Sequence, residues 1–191
     1  KAFKWEKEFP EVFAASDKAS AKSGVSSEAS AKGGFDVVIG NPPYLRIQGI
    51  KDAYPELTES YESNYESATG NYDIYVLFME KSLKLINTNG QVSFILPHKF
   101  MISEFGQGIR RYLSKANAVR SILHFEENLV FEVTTYTCVI NLDRKKKHQL
   151  MFNFIDPHEI MNPFSWEFME GKELTEGKWN LQNNIESNLF K

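Results

Sequence analysis

The sequence contains little cysteine and no long apolar segment. Its one cysteine, Cys138, lies in an apolar, β-branched run, which is typical of a buried small hydrophobic residue in a protein of a reducing compartment. It has neither an apolar run of about 18 residues, the length that indicates a membrane helix, nor a signal-peptide pattern. The sequence therefore predicts no membrane span and a cytoplasmic location.

A strong excess of charge of one sign is also missing. The chain carries 22 Lys and Arg against 25 Asp and Glu, a net charge of −3, which gives no global electrostatic indication of nucleic-acid binding. The four histidines show no ligand spacing with Cys138 or with acidic residues, so we predict no metal site. A hydrophobic content of 42% and an aromatic content of 14% suffice for one globular domain with a core.

The sequence lacks a G-x-G pattern after a predicted strand, which is the glycine arrangement that binds nucleotide cofactors. The spacing occurs only in Gly106-Gln107-Gly108, which lies in a helical context. The first residue is Lys, and the segment 185–191 stops in the middle of an apolar pattern. We therefore interpret the chain as a fragment that does not carry such a loop.

The motif at the centre of the chain is Asn41-Pro42-Pro43-Tyr44, directly after the apolar run Phe35–Gly40. The run predicts a buried strand. The tetrapeptide predicts a rigid turn at its carboxyl end, since prolines fix φ at about −65° and remove N–H donors. In open α/β sheets ligands bind outside the carboxyl ends of the strands. A fixed carboxamide, unpaired carbonyls and an aromatic ring at this place favour a flat ligand with an exposed amino group.

Segments without strong periodicity flank this motif. Residues 1–13 place aromatic side chains among charges and need a surface on which to pack. Residues 14–34 are rich in Ala, Ser, Lys and Gly and predict a flexible loop. Residues 45–70 predict a long polar loop beside the site.

Periodicity predicts an α/β order after this loop. The best helix runs from Asn71, its predicted N-cap, to Asn87, and Gly90 is expected to end it in a left-handed conformation. The strand Gln91–Leu96 then completes a parallel strand–helix–strand unit. The remaining predicted elements are a helix over 103–114 and strands over 119–125, 133–142 and 150–155.

The stretch from Gly34 to Tyr44 resembles motif IV of the N6-adenine DNA methyltransferases, in particular that of the type IIG restriction–modification and related phage-exclusion enzymes. Further stretches resemble these enzymes in the same order along the chain, so that the resemblance covers roughly residues 1–190. They are Phe9–Phe13, Asn71–Leu85, Gly90–Phe100 and Glu127–Leu142.

The resemblance implies a Rossmann-like class I methyltransferase fold of the α/β class, with a mixed sheet and flanking helices. It also implies a site-specific adenine DNA methyltransferase that uses S-adenosylmethionine, in a restriction–modification or phage-defence system. The family's glycine-rich cofactor loop and ribose-binding acidic residue lie upstream of this region. We therefore expect a partial fold without its cofactor-binding half, and a chain that is inactive alone. The expected division is a lead-in segment and flexible loop (1–34), a catalytic half-domain (35–148) and the start of a target-recognition or linker module (149–191).

The residues and the resemblance together give the expected roles at the site. The Asn41 side-chain oxygen and the Pro42 carbonyl accept hydrogen bonds from the N6 amino group of a flipped adenine, and Tyr44 stacks on the base. The resemblance adds Phe131 as a second aromatic, and Pro43 is expected to contact the substrate. Of these residues, Asn41 is also expected to contact the cofactor.

Double-stranded DNA is the expected partner, and an exposed sheet edge predicts self-association of the chain. Two alternatives remain open. One is methylation of RNA or of a protein glutamine amide, and the other is a non-catalytic DNA-binding or scaffold role in a larger complex. We interpret Arg110, Arg111, Arg120 and the basic run 144–148 as solvated charges rather than DNA contacts.

Overall fold

A computed structural model describes residues 4–13, 33–131, 135–145, 149–170 and 174–181. These residues form a six-stranded mixed sheet with helices, so the predicted α/β class is confirmed. The strands are β1 (Phe35–Gly40), β2 (Ile86–Pro97), β3 (Val119–His124), β4 (Thr137–Asp143), β5 (Gln149–Phe154) and β6 (Glu167–Glu170). The helices are α1 (Trp5–Glu8), α2 (Pro10–Phe13), α3 (Ile47–Lys51), α4 (Pro55–Asn64), α5 (Tyr75–Leu85) and α6 (Gln107–Ala116). Short 3₁₀ helices are His98–Met101, Glu104–Gly106 and Pro157–Glu159.

The strand order in the sheet is β1-β2-β4-β3-β5-β6. β1 pairs in parallel with β2, which confirms the predicted strand–helix–strand unit with α5 as its helix. β4 is antiparallel to both β2 and β3, whereas β3 and β5 are parallel. The carboxyl ends of β1, β2, β3 and β5 therefore lie along one side of the sheet, which we call the carboxyl edge.

The main core lies between the sheet and α5. Buried α5 side chains such as Tyr75 and Met79 join a cluster that includes Leu96 of β2 and Ile140 of β4. Cys138 of β4 is fully buried in the same cluster, as predicted, and burial raises the pKa of its thiol. A thiolate is therefore not available for chemistry at this position.

The aromatic lead-in packs against the first strand. The rings of Trp5, Phe9 and Phe13 make edge contacts with Phe35, at centroid distances of 5.8, 5.6 and 5.6 Å. The expectation that this segment needs a surface on which to pack is confirmed. The predicted flexible loop falls mostly on residues 14–32, which lie outside the described residues.

The prediction that β1 is buried is wrong. Among the described residues β1 pairs only with β2, so it lies at an edge of the sheet. Val37 and Ile39 are 61% and 78% exposed, whereas Val38, on the other face, packs against the core. An apolar run identifies a strand, but burial depends on neighbours that the run itself does not specify.

The predicted N-cap of the long helix is also wrong. The helix α5 begins four residues after Asn71 because the intervening backbone is paired elsewhere. The Ile47 N–H donates to the Tyr72 carbonyl at 2.9 Å, and the Ile74 N–H donates to the Leu45 carbonyl at 2.7 Å. These bonds join the residues that follow the central motif to the start of α5.

Gly90 lies inside β2 and does not end the helix in a left-handed conformation. A Cβ at this position would lie 2.6 Å from the carbonyl oxygen of Phe35. The glycine therefore allows β1 to approach β2 closely, and β2 is longer than the strand predicted from Gln91.

The long loop predicted over 45–70 contains two helices, α3 and α4. α4 begins with Pro55 at its first position, a residue that favours helix starts. Its only buried residue is Thr58, so the segment lacks the apolar stripe by which helices are recognised in a sequence.

Arg110 is buried, which contradicts its interpretation as a solvated charge. Its guanidinium donates to the carbonyl oxygens of Phe100 at 2.6 Å, Ser103 at 2.7 Å and Glu176 at 3.0 Å. Burial lowers the pKa of this group. Its neighbour Arg111 is exposed, as expected.

Two further basic residues bind within the protein. Arg120 lies 3.4 Å from the buried carboxylate of Asp143, and the Arg144 Nε donates to the Leu83 carbonyl at 2.8 Å. The rest of the basic run includes 146–148, which lies outside the described residues.

The sheet continues past residue 148. β5 pairs with β3, and β6 pairs with β5, so the strands of 149–170 extend the same sheet. The predicted module over 149–191 stays a prediction.

No helix in the described part of the chain is long and apolar enough to cross a membrane.

Candidate active site

The central motif leaves β1 at the carboxyl edge. Asn41 and Pro43 are exposed, whereas Pro42 between them is buried. Two consecutive prolines restrict the backbone, and the bonds between the following residues and the start of α5 anchor its exit. The Asn41 carboxamide is therefore presented to solvent from a constrained backbone.

Tyr44 is held in place from two sides. Its hydroxyl donates to the Ile95 carbonyl of β2 at 3.3 Å, and its ring makes an edge contact with Tyr75 of α5, with centroids 6.3 Å apart. Partial burial raises the pKa of Tyr44 to about 12. The phenol therefore remains neutral at physiological pH and offers a fixed ring as a stacking surface.

A cleft of about 500 Å³ lies beside this motif, between β1 and α5. Its walls are largely apolar, with Phe35, Ile39 and Phe78 among them, and Asn41 and Pro42 also line it. S-adenosylmethionine would need a carboxylate for its ribose, and none lines the cleft among the described residues. The lining residues fit the apolar surface of such a cofactor but not its polar groups.

A smaller, charged pocket of about 270 Å³ lies on the exit side of the motif. Arg46 pairs with Asp73 in an isolated β-bridge, and Lys99 lines the same pocket. Burial raises the pKa of Asp73, although the positive charges of Arg46 and Lys99 act against the shift. Two cations and one carboxylate leave this pocket with an excess of positive charge, a balance that suits a phosphate group.

Phe131 lies in the connection between β3 and β4 and is half-buried. Thr137, at the start of β4, is opposite Pro97, at the end of β2. The connection therefore lies at the carboxyl edge, on the side of the sheet where β1 and Asn41 also end. The topology brings Phe131 and Asn41 to the same edge, and the role of Phe131 stays a prediction.

The sequence alone did not identify two histidines at this edge. His98 directly follows β2 and His124 ends β3, and their rings stack with centroids 4.4 Å apart. Their position after two parallel strands could have identified them as candidate site residues, because ligands bind at the carboxyl ends of strands.

Within the described residues no group of three or more His, Cys, Asp or Glu side chains could hold a metal ion.

Comparisons with solved structures agree with this fold. The restriction–modification enzyme LlaGI matches with a TM-score of 0.53 and 19% identity over 81% of this chain and 19% of its own. The type IIG restriction endonuclease BpuSI matches with a TM-score of 0.50 and 18% identity over 73% of this chain and 19% of its own. At these identities the likenesses concern the fold alone, and they agree with the predicted α/β class and its mixed sheet.

The sequence model of the Eco57I restriction-modification methylase family matches residues 1–131, and the chain belongs to this family. It is 30% identical over 141 residues to the type II restriction enzyme and methyltransferase RM.Eco57I of Escherichia coli, covering 73% of this chain and 14% of that protein. It is 32% identical over 113 residues to the type II methyltransferase M.BstVI of Geobacillus stearothermophilus, covering 58% of this chain and 20% of that one. The matched part therefore spans a fifth or less of each of these relatives.

Proposed function

We propose that this chain forms the substrate side of a DNA methyltransferase that transfers a methyl group from S-adenosylmethionine to N6 of a flipped adenine. The setting would be a restriction–modification or phage-defence system in the cytoplasm. The observation that carries the proposal is the Asn41 motif at the carboxyl end of β1, with the Tyr44 ring tied to β2. Membership in a family of restriction–modification methylases supports the reaction type.

The proposed chemistry depends on two acceptors. The N6 nitrogen of adenine is a poor nucleophile, because its lone pair is delocalised into the ring. The Asn41 side-chain oxygen and the Pro42 carbonyl would each accept one N–H of the amino group and localise electron density on nitrogen. A general base would not be required before attack, because the N–C bond would form as the S–C bond of the sulfonium breaks and a neutral thioether leaves. The amine would then be cationic and would lose its proton to water.

The target base would have to leave the DNA helix, at a cost of a few kcal/mol. Stacking on an aromatic ring is worth about 1–3 kcal/mol per base, so Tyr44 and Phe131 together could offset much of this cost. Pro43, exposed beside Asn41, would contact the rim of the base. The proposed partner is double-stranded DNA, and a DNA partner is supported by the structure of LlaGI, which is in complex with a DNA substrate mimic.

The remaining cofactor contacts would come from residues outside the described part of this chain. Asn41 lines the cleft beside β1 and would reach the cofactor from the substrate side. We therefore propose that the 191-residue chain is inactive alone and self-associates through β1. We also propose a catalytic half-domain over 35–148, after a lead-in over 1–34 and before the start of a recognition or linker module over 149–191.

The first test compares Asn41→Ala with the unchanged protein at its full natural length. N6-methyladenine is measured by mass spectrometry after incubation with duplex DNA and S-adenosylmethionine. We expect Asn41→Ala to abolish methylation while DNA binding persists, because this side chain contacts the reacting amino group. Phe131→Ala should retain activity on a pre-flipped adenine opposite an abasic site and lose it on an intact duplex.

Parallel reactions with RNA and with a glutamine-containing peptide decide between substrate classes. Methylation of either in place of DNA would overturn the adenine proposal. Unchanged methylation by Asn41→Ala would overturn the assigned mechanism. The absence of any methyl transfer by the full-length protein would favour a non-catalytic role.

A further inference from the structure

Two cations line the pocket on the exit side of the central motif. Arg46 follows Tyr44 by two residues, and Lys99 follows the last residue of β2 by two residues, so both lie at the carboxyl edge. Their side chains are exposed, and they line a concave space of about 270 Å³ together with the half-buried Asp73. This space, which we call the charged pocket, is therefore open to a ligand from solvent.

The two cations of the charged pocket are not used within the protein. Arg110 and Arg144 donate to backbone carbonyls, and Arg120 lies beside a buried carboxylate. By contrast, the side chains of Arg46 and Lys99 make no hydrogen bond and no ion pair within the part of the chain that the structure describes. Their N–H donors are therefore available to a ligand that carries acceptor oxygens.

The charges of the pocket act on one another at longer range. Burial raises the pKa of Asp73, and Arg46 and Lys99 oppose this rise, so both cations lie close enough to its carboxylate to stabilise the ionised form. Asp73 is the one acidic side chain among the described lining residues, which leaves an excess of positive charge. The exposed carboxamides of Gln48 and Asn71 add neutral donors. This combination favours an anion with several acceptor oxygens.

The size and position of the charged pocket favour a phosphate group. Its volume of about 270 Å³ lies below the range for drug-sized ligands, about 300–1,000 Å³, so it admits a small group. An arginine can bind two phosphate oxygens at once, and a lysine adds a point charge. The charged pocket shares no described lining residue with the cleft beside β1, where the cofactor would lie.

The charged pocket also lies near the proposed stacking ring. The Cα atoms of Tyr44 and Arg46 are at most about 7 Å apart, since an extended chain advances about 3.3–3.6 Å per residue. The Ile47 N–H donates to the Tyr72 carbonyl at 2.9 Å, which fixes this segment against the start of α5. A DNA strand carries one phosphate about every 3.4 Å along its axis. The phosphates within about two nucleotides of a base on Tyr44 are therefore in range.

We propose that the charged pocket binds a backbone phosphate of the DNA substrate, within about two nucleotides of the flipped adenine. Arg46 and Lys99 donate to its non-bridging oxygens. Phosphate contacts fix the register and orientation of DNA without reading its sequence, so the pocket positions the target nucleotide beside Asn41. The inference rests on the proposed function, since it takes DNA as the substrate and Tyr44 as the stacking ring.

The salt dependence of DNA binding tests the pocket on any duplex. The full-length protein is titrated with a fluorescent duplex over a range of salt concentrations, and each lost phosphate contact reduces the slope of log Kd against log salt by about 1. We expect Arg46→Ala and Lys99→Ala each to show this reduction and to raise the Kd about 5-fold, because exposed charges are partly screened. Arg111→Ala, at an exposed position on α6, is the control and should bind as the unchanged protein does.

The acidic residue of the pocket gives the opposite prediction. Asp73→Asn keeps the shape of the side chain and removes a negative charge that repels a phosphate. We therefore expect the Kd for duplex DNA to fall by about 2- to 5-fold. A purely structural role of Asp73 would lower the unfolding temperature without tightening binding. Weaker or unchanged binding by a folded Asp73→Asn would overturn the proposed anion binding.

Neutral phosphates locate the contact. A methylphosphonate replaces one charged phosphate at a time, at successive positions around the adenine that the protein methylates. We expect the unchanged protein to lose affinity at one position within about two nucleotides of this adenine. The double variant Arg46→Ala/Lys99→Ala should lose none at that position. Equal losses for both proteins would overturn the assignment of this phosphate to the pocket.

The outcomes separate this inference from the proposed function. If the protein methylates adenine, but Arg46→Ala and Lys99→Ala bind DNA with unchanged Kd and slope, the pocket proposal fails and the proposed function stands. Calorimetry with inorganic phosphate then shows whether the pocket binds a free anion instead. If the protein methylates no adenine, yet both variants reduce the slope, the pocket binds a DNA phosphate and the proposed function fails. Thermal unfolding identifies a variant that does not fold, and the other single variant then decides.

Discussion

At the scale of single residues, one buried charged side chain holds several backbone segments together through hydrogen bonds. Arg110 donates to three carbonyl oxygens from different segments, at Phe100, Ser103 and Glu176, while it is only 2% exposed. A buried cation is tolerated because these acceptors replace its hydration. The 3₁₀ turns after β2 and the segment around Trp179 are therefore joined through one guanidinium.

We predict that Arg110→Leu lowers the free energy of unfolding by about 3 kcal/mol or more, because three acceptors lose their donor and each buried one costs about 1–3 kcal/mol. Urea unfolding followed by fluorescence measures the change. Arg111→Leu is the matched control, since its side chain is exposed on the same helix, and it should change stability by about 0.5 kcal/mol or less. Equal effects of the two substitutions would contradict this role.

Among the helices, α5 does more than fill the core, because it also orders the segment before it. Glu80 is fully buried on α5 and accepts hydrogen bonds from the Glu66 and Ser67 N–H groups, at 3.1 and 2.8 Å. Lys84, one turn later, lies 2.6 Å from the same carboxylate. Burial acts to raise the pKa of Glu80, but these hydrogen bonds outweigh it and lower the pKa below its usual value.

We predict that Glu80→Gln destabilises the protein by about 2 kcal/mol near neutral pH, since a charge-assisted set of hydrogen bonds is lost. The lowered pKa means that the ionised Glu80 stabilises the folded state above the unfolded pKa of about 4.5. This contribution is lost as the pH falls through the folded pKa. The difference in stability between Glu80→Gln and the unchanged protein should therefore shrink below about pH 4.5.

Urea unfolding at a series of pH values measures this difference. Glu59→Gln, an exposed acid on α4, is the control and should show almost no difference at any pH. If the free energies of unfolding of Glu80→Gln and the unchanged protein differ by the same amount down to pH 3, the ionisation of Glu80 does not contribute to stability.

The elements differ in how far the sequence predicts them. The bounds of β1 could be predicted from one apolar run. Its position at the edge of the sheet could not, because the pairing of a strand depends on residues that are distant in the sequence. The start of α5 was missed because Ile74 is paired with Leu45, a contact between distant residues that overrides local capping preference. The Asn41 motif has a local signature, whereas the His98–His124 stack depends on a sheet order in which β4 lies between β2 and β3.

On the scale of the whole molecule, β1 leaves one edge of the sheet open in the described part of the chain, where it pairs with β2 alone. Val37 and Ile39 project from an edge strand into an apolar cleft. Unpaired N–H and C=O groups on an edge strand can pair with another chain unless charges or prolines block them. The carboxyl edge and the β1 edge thus meet at the Asn41 motif, where the substrate and cofactor sides of the proposed reaction would also meet.

We predict that the isolated 191-residue chain self-associates through β1, and that Ile39→Lys shifts it to the monomer, since a lysine on an edge strand opposes pairing. Light scattering and sedimentation velocity over a range of concentrations measure the change. Met161→Lys places the same charge at a position that is 90% exposed and outside the sheet, and this control should associate like the unchanged chain. A monodisperse monomer of the unchanged chain at all concentrations would contradict the prediction. Loss of association in both variants would attribute the effect to net charge rather than to the β1 edge.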